Sequence, residues 1–117
     1  MISEVISRAF QARDITHRAH LMANSYALHM ILGEFYDSVI EEADALTESW
    51  IGQYGEIEYF EVETRKVDDI CEYLREEADW IEENRDKIAQ GSQAIAALVD
   101  VLVAVYLRTI YKLERLT

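Results

Sequence analysis

No proline occurs anywhere in the 117 residues of this chain, and glycine occurs only four times. Proline lacks a backbone donor, and glycine costs about 1 kcal/mol inside a helix, so these two residues are the usual means of ending one. With half of the residues apolar, the sequence admits long helices and contains few compulsory turns. The expected fold class is therefore all-α, and the expected architecture an antiparallel four-helix bundle. A chain of this length is one domain, able to bury a core without disulfides or a structural metal. Cys71 is the only cysteine, which leaves no internal disulfide framework.

Apolar residues at helical spacing mark the segments. The first helix is expected over about residues 3–22, with Ile2, Ile6, Ala9 and Phe10 on one face. Asn24 and Ser25 follow as a short polar break with capping chemistry. The second helix, about 26–51, carries Leu28, Leu32, Phe35, Val39, Ala43, Leu46 and Trp50. Gly52 and Gly55 end it, and EIEYFEVET (56–64) has no helical stripe, so it is expected to be extended or irregular. The third helix is expected over about 65–89, and Gly91 and Ser92 serve as its C-cap and the next N-cap. The fourth, about 92–116, is apolar almost all round and is expected to be the most buried.

The formal charge is −12, and its distribution narrows the partners. Ten acids and no Lys or Arg lie between Ala19 and Thr64. Such a surface repels phosphate and concentrates cations, so no nucleic-acid partner is expected. The N-terminal MISEVISRAF lacks a signal-peptide layout. The most apolar run, 94–107, is interrupted by Asp100 and is too short to span a bilayer. A soluble, cytoplasmic protein without a membrane partner is expected.

Within the second helix, HMILGEFYDSVIEEADALTE (29–48) carries a His at one end and Asp44 and Glu48 at the other. Histidine and carboxylate are ligands of iron, zinc and manganese. Fifteen residues of helix separate His29 from Asp44, roughly 22 Å, which one ion does not bridge. On a helical wheel His29, Asp44 and Glu48 fall roughly 80°, 140° and 180° from the centre of the core stripe. Gly33, Tyr36 and Ile40 lie along the flank between them, and they make a candidate dimer face. A two-fold axis near residue 37 would pair two copies of this helix antiparallel and set His29 of one chain against Asp44 and Glu48 of the other. The first helix adds His17 and His20, spaced i, i+3 beside the break that brings His29 nearby. The candidate ligand set is His20, His29, Asp44 and Glu48, two nitrogens and two carboxylates, suited to iron and also to zinc or manganese. Glu-x-x-His pairs of a di-iron bundle are absent, as are a nucleophile with a His/acid partner and a glycine-rich phosphate loop.

The segment HLMANSYALHMILGEFYDSVIEEADALTE resembles the signature of the Dps-type mini-ferritins, the DNA-protection-during-starvation proteins. His29, Asp44 and Glu48 match that family's spacing, and His20 matches with a connection about three residues shorter. The resemblance covers residues 17–55. It implies a ferritin-like bundle with a ferroxidase centre shared across a two-fold homodimer, inside a hollow oligomer such as a dodecamer. Leu21 departs from the family, which usually has Trp there, and the basic tail is missing. His17-x-x-His20, SYALH, LGEFYD and YKLERL also resemble short phage-encoded helical proteins, which would place the chain in the host cytoplasm.

On this reading the chain binds iron between subunits and oxidises Fe(II). His20 and His29 ligate from one chain, Asp44 and Glu48 from the other, and Glu48 bridges two ions. His17 or Glu41 would hold a second, weaker ion. Two other readings stand beside it. One is a non-catalytic helical assembly module that keeps the dimer face and uses its His and acids structurally. The other is an acidic protein that mimics DNA and blocks a nucleic-acid-binding partner.

Overall fold

The computed structural model describes all of residues 1–117. Helix accounts for 78% of the chain and no strand is present, so the fold is all-α. Five helices follow one another: α1 (Ile2–Leu21), α2 (Tyr26–Tyr54), α3 (Ile70–Glu83), α4 (Arg85–Ala89) and α5 (Gln93–Arg115). The two polar breaks do what their chemistry predicts. Ser25 Oγ accepts from the Leu28 N–H at 3.1 Å and Ser92 Oγ from the Ile95 N–H at 3.2 Å, each satisfying a donor that a helix start leaves free.

The third segment corrects the expectation of one helix over 65–89. It begins at Ile70, where Asp69 caps the Glu72 N–H at 3.0 Å, and it is divided at Asn84. The Asn84 side chain donates to the Trp80 carbonyl at 2.8 Å, competing with the helical ladder there. Gln90 (φ 51°) and Gly91 (φ 87°) then turn the chain in left-handed conformations. α2 runs to Tyr54, three residues beyond the expected end, and Gly55 (φ 102°) makes the turn. Tyr54 stays helical and donates its hydroxyl to the Ala89 carbonyl at 2.5 Å.

Contacts fix the directions of the helices. His17 stacks on Tyr36 and His20 on His29, so α1 and α2 run antiparallel. Arg8 reaches Glu77 and Tyr73 reaches Gln11, which sets α3 antiparallel to α1. Lys112 pairs with Glu34 near the start of α2, while Trp50 near its end donates to the Ile88 carbonyl. The pair Arg75–Glu114 ties α3 to α5.

Residues 55–69 carry the chain back along α1 without regular structure. Ser3, Ser7 and Gln11 donate in turn to the carbonyls of Glu58, Glu61 and Glu63. Ile57, Phe60 and Val67 pack against the core, with Phe60 edge-on to Phe10 at 5.5 Å. The core itself is filled from every long helix, by residues such as Val5, Phe35, Leu46, Leu74, Leu102 and Tyr106.

α5 does contribute the most buried positions, as expected. Yet one of its faces stays in solvent, with Val101 and Leu107 each 44% and Tyr111 54% exposed. The whole helix, 23 residues, has the length and hydropathy of a membrane span, though only the 14-residue run suggested itself from sequence; half of its most apolar window is buried within the fold.

Candidate metal centre

The α1–α2 turn brings the three histidines together. The rings of His20 and His29 stack at 3.7 Å between centroids, inclined by 20°. His17 lies 6.1 Å from His20 and stacks on Tyr36 at 4.1 Å, and Tyr36 meets His20 edge-on at 5.4 Å. The backbone locks the central pair. His20 Nδ1 lies 2.5 Å from the His29 carbonyl oxygen, and His29 Nδ1 lies 2.9 Å from the His20 carbonyl oxygen. A carbonyl only accepts, so each Nδ1 carries the hydrogen and donates. In the neutral rings both Nε2 atoms then keep their lone pairs. A ring N–H given to a backbone carbonyl is the usual outer-shell arrangement of a metal-binding histidine.

Local sequence explains the geometry. His20 sits in the last turn of α1, where carbonyls lack helical partners, and His29 supplies one. Gly33 makes room for the ring above it. A Cβ built there would stand 3.0 Å from His20 Cε1 and 3.1 Å from His20 Nδ1.

The acids lie elsewhere. Asp44 and Glu48 are exposed on the outward ridge of α2, with Met30, Glu34, Asp37 and Glu41. Glu34 pairs with Lys112 at 2.9 Å. Asp37, Glu41, Asp44 and Glu48 have neither an ion pair nor a side-chain hydrogen bond within the chain. No single-chain group of three or more His, Cys, Asp or Glu is placed to hold a metal ion. Within one chain the predicted ligands thus form two separate halves, an imidazole half and a carboxylate half.

The expected dimer face has uses inside the chain. Gly33 lies under His20, Tyr36 stacks on His17, and Ile40 packs against the core. All three are half-buried. A wheel of α2 alone leaves this flank bare because it omits α1, which folds back over it.

A further buried polar group, outside the predicted site, lies between α1, α3 and α5. Arg8 Nη1 donates to Glu77 Oε2 at 2.7 Å, and the guanidinium rests 3.9 Å over the Trp80 ring. Burial raises the Glu77 carboxyl above its ordinary range, opposed by Arg8. Burial also raises Tyr73, with Glu77 adding to the shift, and raises Tyr106. Glu77 Oε1 and the Tyr106 hydroxyl are buried without hydrogen-bond partners. The signal was present in the sequence, since Glu77 falls on the Ile70, Leu74, Ile81 stripe.

A sequence model for a family of unknown function (DUF5856) matches residues 20–113. The match takes in His20, His29 and the whole α2 ridge. No curated protein and no solved structure matches the chain.

Proposed function

We propose that this chain, which belongs to the family of unknown function DUF5856, is an iron-binding, mini-ferritin-like protein whose metal site is assembled between two copies. The observation that carries this reading is the reciprocal bonding of His20 and His29. It fixes both rings and leaves each Nε2 lone pair free to ligate an ion in its own ring plane. Asp44 and Glu48 supply the negative charge on a ridge where nothing in the chain neutralises them. In this reading α1, α2, α5 and α3 form an antiparallel four-helix bundle, and the link over 55–69 is the single long crossover of a ferritin-like fold.

The ridge also indicates how two copies would meet. Asp37, Glu41, Asp44 and Glu48 repel their own image across a two-fold axis, and the intramolecular use of Gly33, Tyr36 and Ile40 removes most of the apolar attraction. Cations between the copies reverse the sign of that interaction. Association is then coupled to metal, and the homodimer forms as the site fills. Mixed nitrogen and carboxylate ligation suits Fe(II), with zinc and manganese as substitutes. Carboxylate ligation favours the higher charge of Fe(III), so Fe(II) held there would be predisposed to oxidation, with dioxygen or peroxide from solution as the electron acceptor. Glu48 would be the carboxylate shared between two ions, and His17 or Glu41 would serve the second.

The test is mass in solution together with metal content, on untagged protein, with Fe(II) under anaerobic conditions and after chelation. A metal-loaded dimer that becomes a monomer on chelation is expected. A metal-free dimer that takes up no iron would overturn the reading. It would favour the assembly-module alternative, in which the His20–His29 bonds serve only to pin the α1–α2 turn.

A further inference from the structure

A cavity of about 660 Å³, open on one side, lies on the flank of the α1–α2 turn opposite the histidines. It is enclosed by the last turns of α1, the start of α2, residues 65–68 of the link and Ile70 at the start of α3. Ile15, Leu28, Leu32, Val67 and Ile70 give it an apolar lining, and Ile15 and Leu32 belong to the buried interior. Its volume falls within the range of roughly 300–1,000 Å³ usual for small-molecule sites.

The charge around the cavity is opposite to that of the protein as a whole. The chain has 23 acids against 11 bases, yet Arg18, Arg65 and Lys66 line this cavity with Asp68 as the lone carboxylate. Arg18 forms no ion pair and donates to Thr64 Oγ1 at 2.7 Å. Arg65 forms none either and lies 5.2 Å from the Tyr73 ring centre. Lys66 reaches Asp68 only at 3.9 Å, with both side chains almost fully in solvent. Ser25, the N-cap of α2, also lines the cavity, and the first turn of that helix has no acid. The positive end of a 29-residue helix therefore adds to the same field.

We propose that this cavity binds a single-chain amphiphilic anion, a fatty-acid-like carboxylate. Its alkyl tail lies against Ile15, Leu28, Leu32 and Ile70, and its head meets Arg18, Arg65 and Lys66. The lining alone would accept any alkyl chain, and the cations alone any small anion. Only a molecule with both parts satisfies the two halves of the site.

Calorimetry on the full-length, untagged protein tests this, with sodium dodecanoate below its micellar concentration. Dodecanol, dodecyltrimethylammonium and phosphatidylglycerol vesicles serve as comparisons. One dodecanoate per chain is expected, bound about tenfold more tightly than dodecanol, since a charge-assisted contact contributes on that order. Arg18→Gln and Arg65→Gln should each weaken it about tenfold. Ala19→Trp, which fills the cavity, should abolish binding with circular dichroism unchanged. Val67→Trp, on the link outside the helices, fills the same space should Ala19→Trp fail to fold. Equal affinity for dodecanoate and dodecanol would overturn the proposal. So would binding untouched by both arginine substitutions or by a folded cavity-filling variant, or uptake from vesicles alone.

Discussion

His20 and His29 hold each other through the backbone, each ring donating from Nδ1 to the other residue's carbonyl, with the rings 3.7 Å apart. Gly33 is the third party to that arrangement, because only a residue without a Cβ leaves the His20 ring its place. The substitution Gly33→Ala therefore has two opposed effects. Alanine gains about 1 kcal/mol over glycine in a helix interior. Its Cβ would also stand 3.0 Å from His20 Cε1, pushing the ring off the His29 carbonyl. In the wild-type background the gain should vanish or reverse. In a His20→Ala background it should return in full, stabilising by about 1 kcal/mol. Urea denaturation of the four proteins in the cycle measures this coupling; additivity within about 0.3 kcal/mol would show that the ring does not depend on Gly33.

Division of the site between chains makes a sharper claim. His29→Ala and Glu48→Ala should each abolish metal binding alone. A heterodimer of the two, co-expressed with different tags, should retain one site of two, because at the shared interface one site joins two intact halves and the other joins two damaged ones. Ligands confined to one chain would leave that heterodimer with no site at all. Iron or zinc counted per heterodimer decides between the two arrangements.

Glu77 should give the protein a pH dependence of its own. Burial raises its pKa in the folded state, so the fold holds that proton more tightly than the unfolded chain does. The resulting stability is fully present below the ordinary carboxylate pKa of about 4.3 and is lost as pH rises through the folded value. Relative to Glu77→Gln, the melting temperature of the wild type should fall between about pH 4 and pH 7. A difference that stays constant over that interval would mean that Arg8 fully offsets the burial.

Tyr106 carries a cost that one atom's removal should relieve. Its hydroxyl is buried without a partner, and an unmade buried hydrogen bond costs about 1–3 kcal/mol. Tyr106→Phe keeps the ring and its edge-on contact with Phe35 at 5.2 Å. It should raise stability by about 1 kcal/mol, read as a higher urea midpoint at unchanged slope. A lower midpoint would reveal a partner for the hydroxyl, such as a buried water.

Much of the helical layout was legible from spacing and caps, because Ser25 and Ser92 act locally and their partners lie three residues away. The start of α3 was also readable in principle. Asp69 followed by Glu72 is a capping pattern, although the apolar Val67 drew the expected helix five residues too early. Asn84 was harder to foresee, since its side chain breaks the helix by bonding to Trp80 rather than by any strong breaker propensity. The proximity of His17, His20 and His29 followed from the short turn. The covering of Gly33, Tyr36 and Ile40 did not, because a helical wheel describes one helix and these residues are partly covered by another. The cationic cavity was not legible for a related reason: Arg18 and Arg65 lie 47 positions apart in sequence, and only the returning link brings them together.

That link, passing over α1 through Ser3, Ser7 and Gln11, makes the molecule divisible. On one side of it lies the α1–α2 hairpin, and on the other the hairpin of α3, α4 and α5. Each has its own short turn and its own capping serine. The two hairpins share one core, joined chiefly where α2 packs against α5, with α1 meeting α3 over a small area. A single cut in the exposed stretch around Thr64 would leave two fragments, each the natural ligand of the other, able to rebuild the whole by mutual recognition.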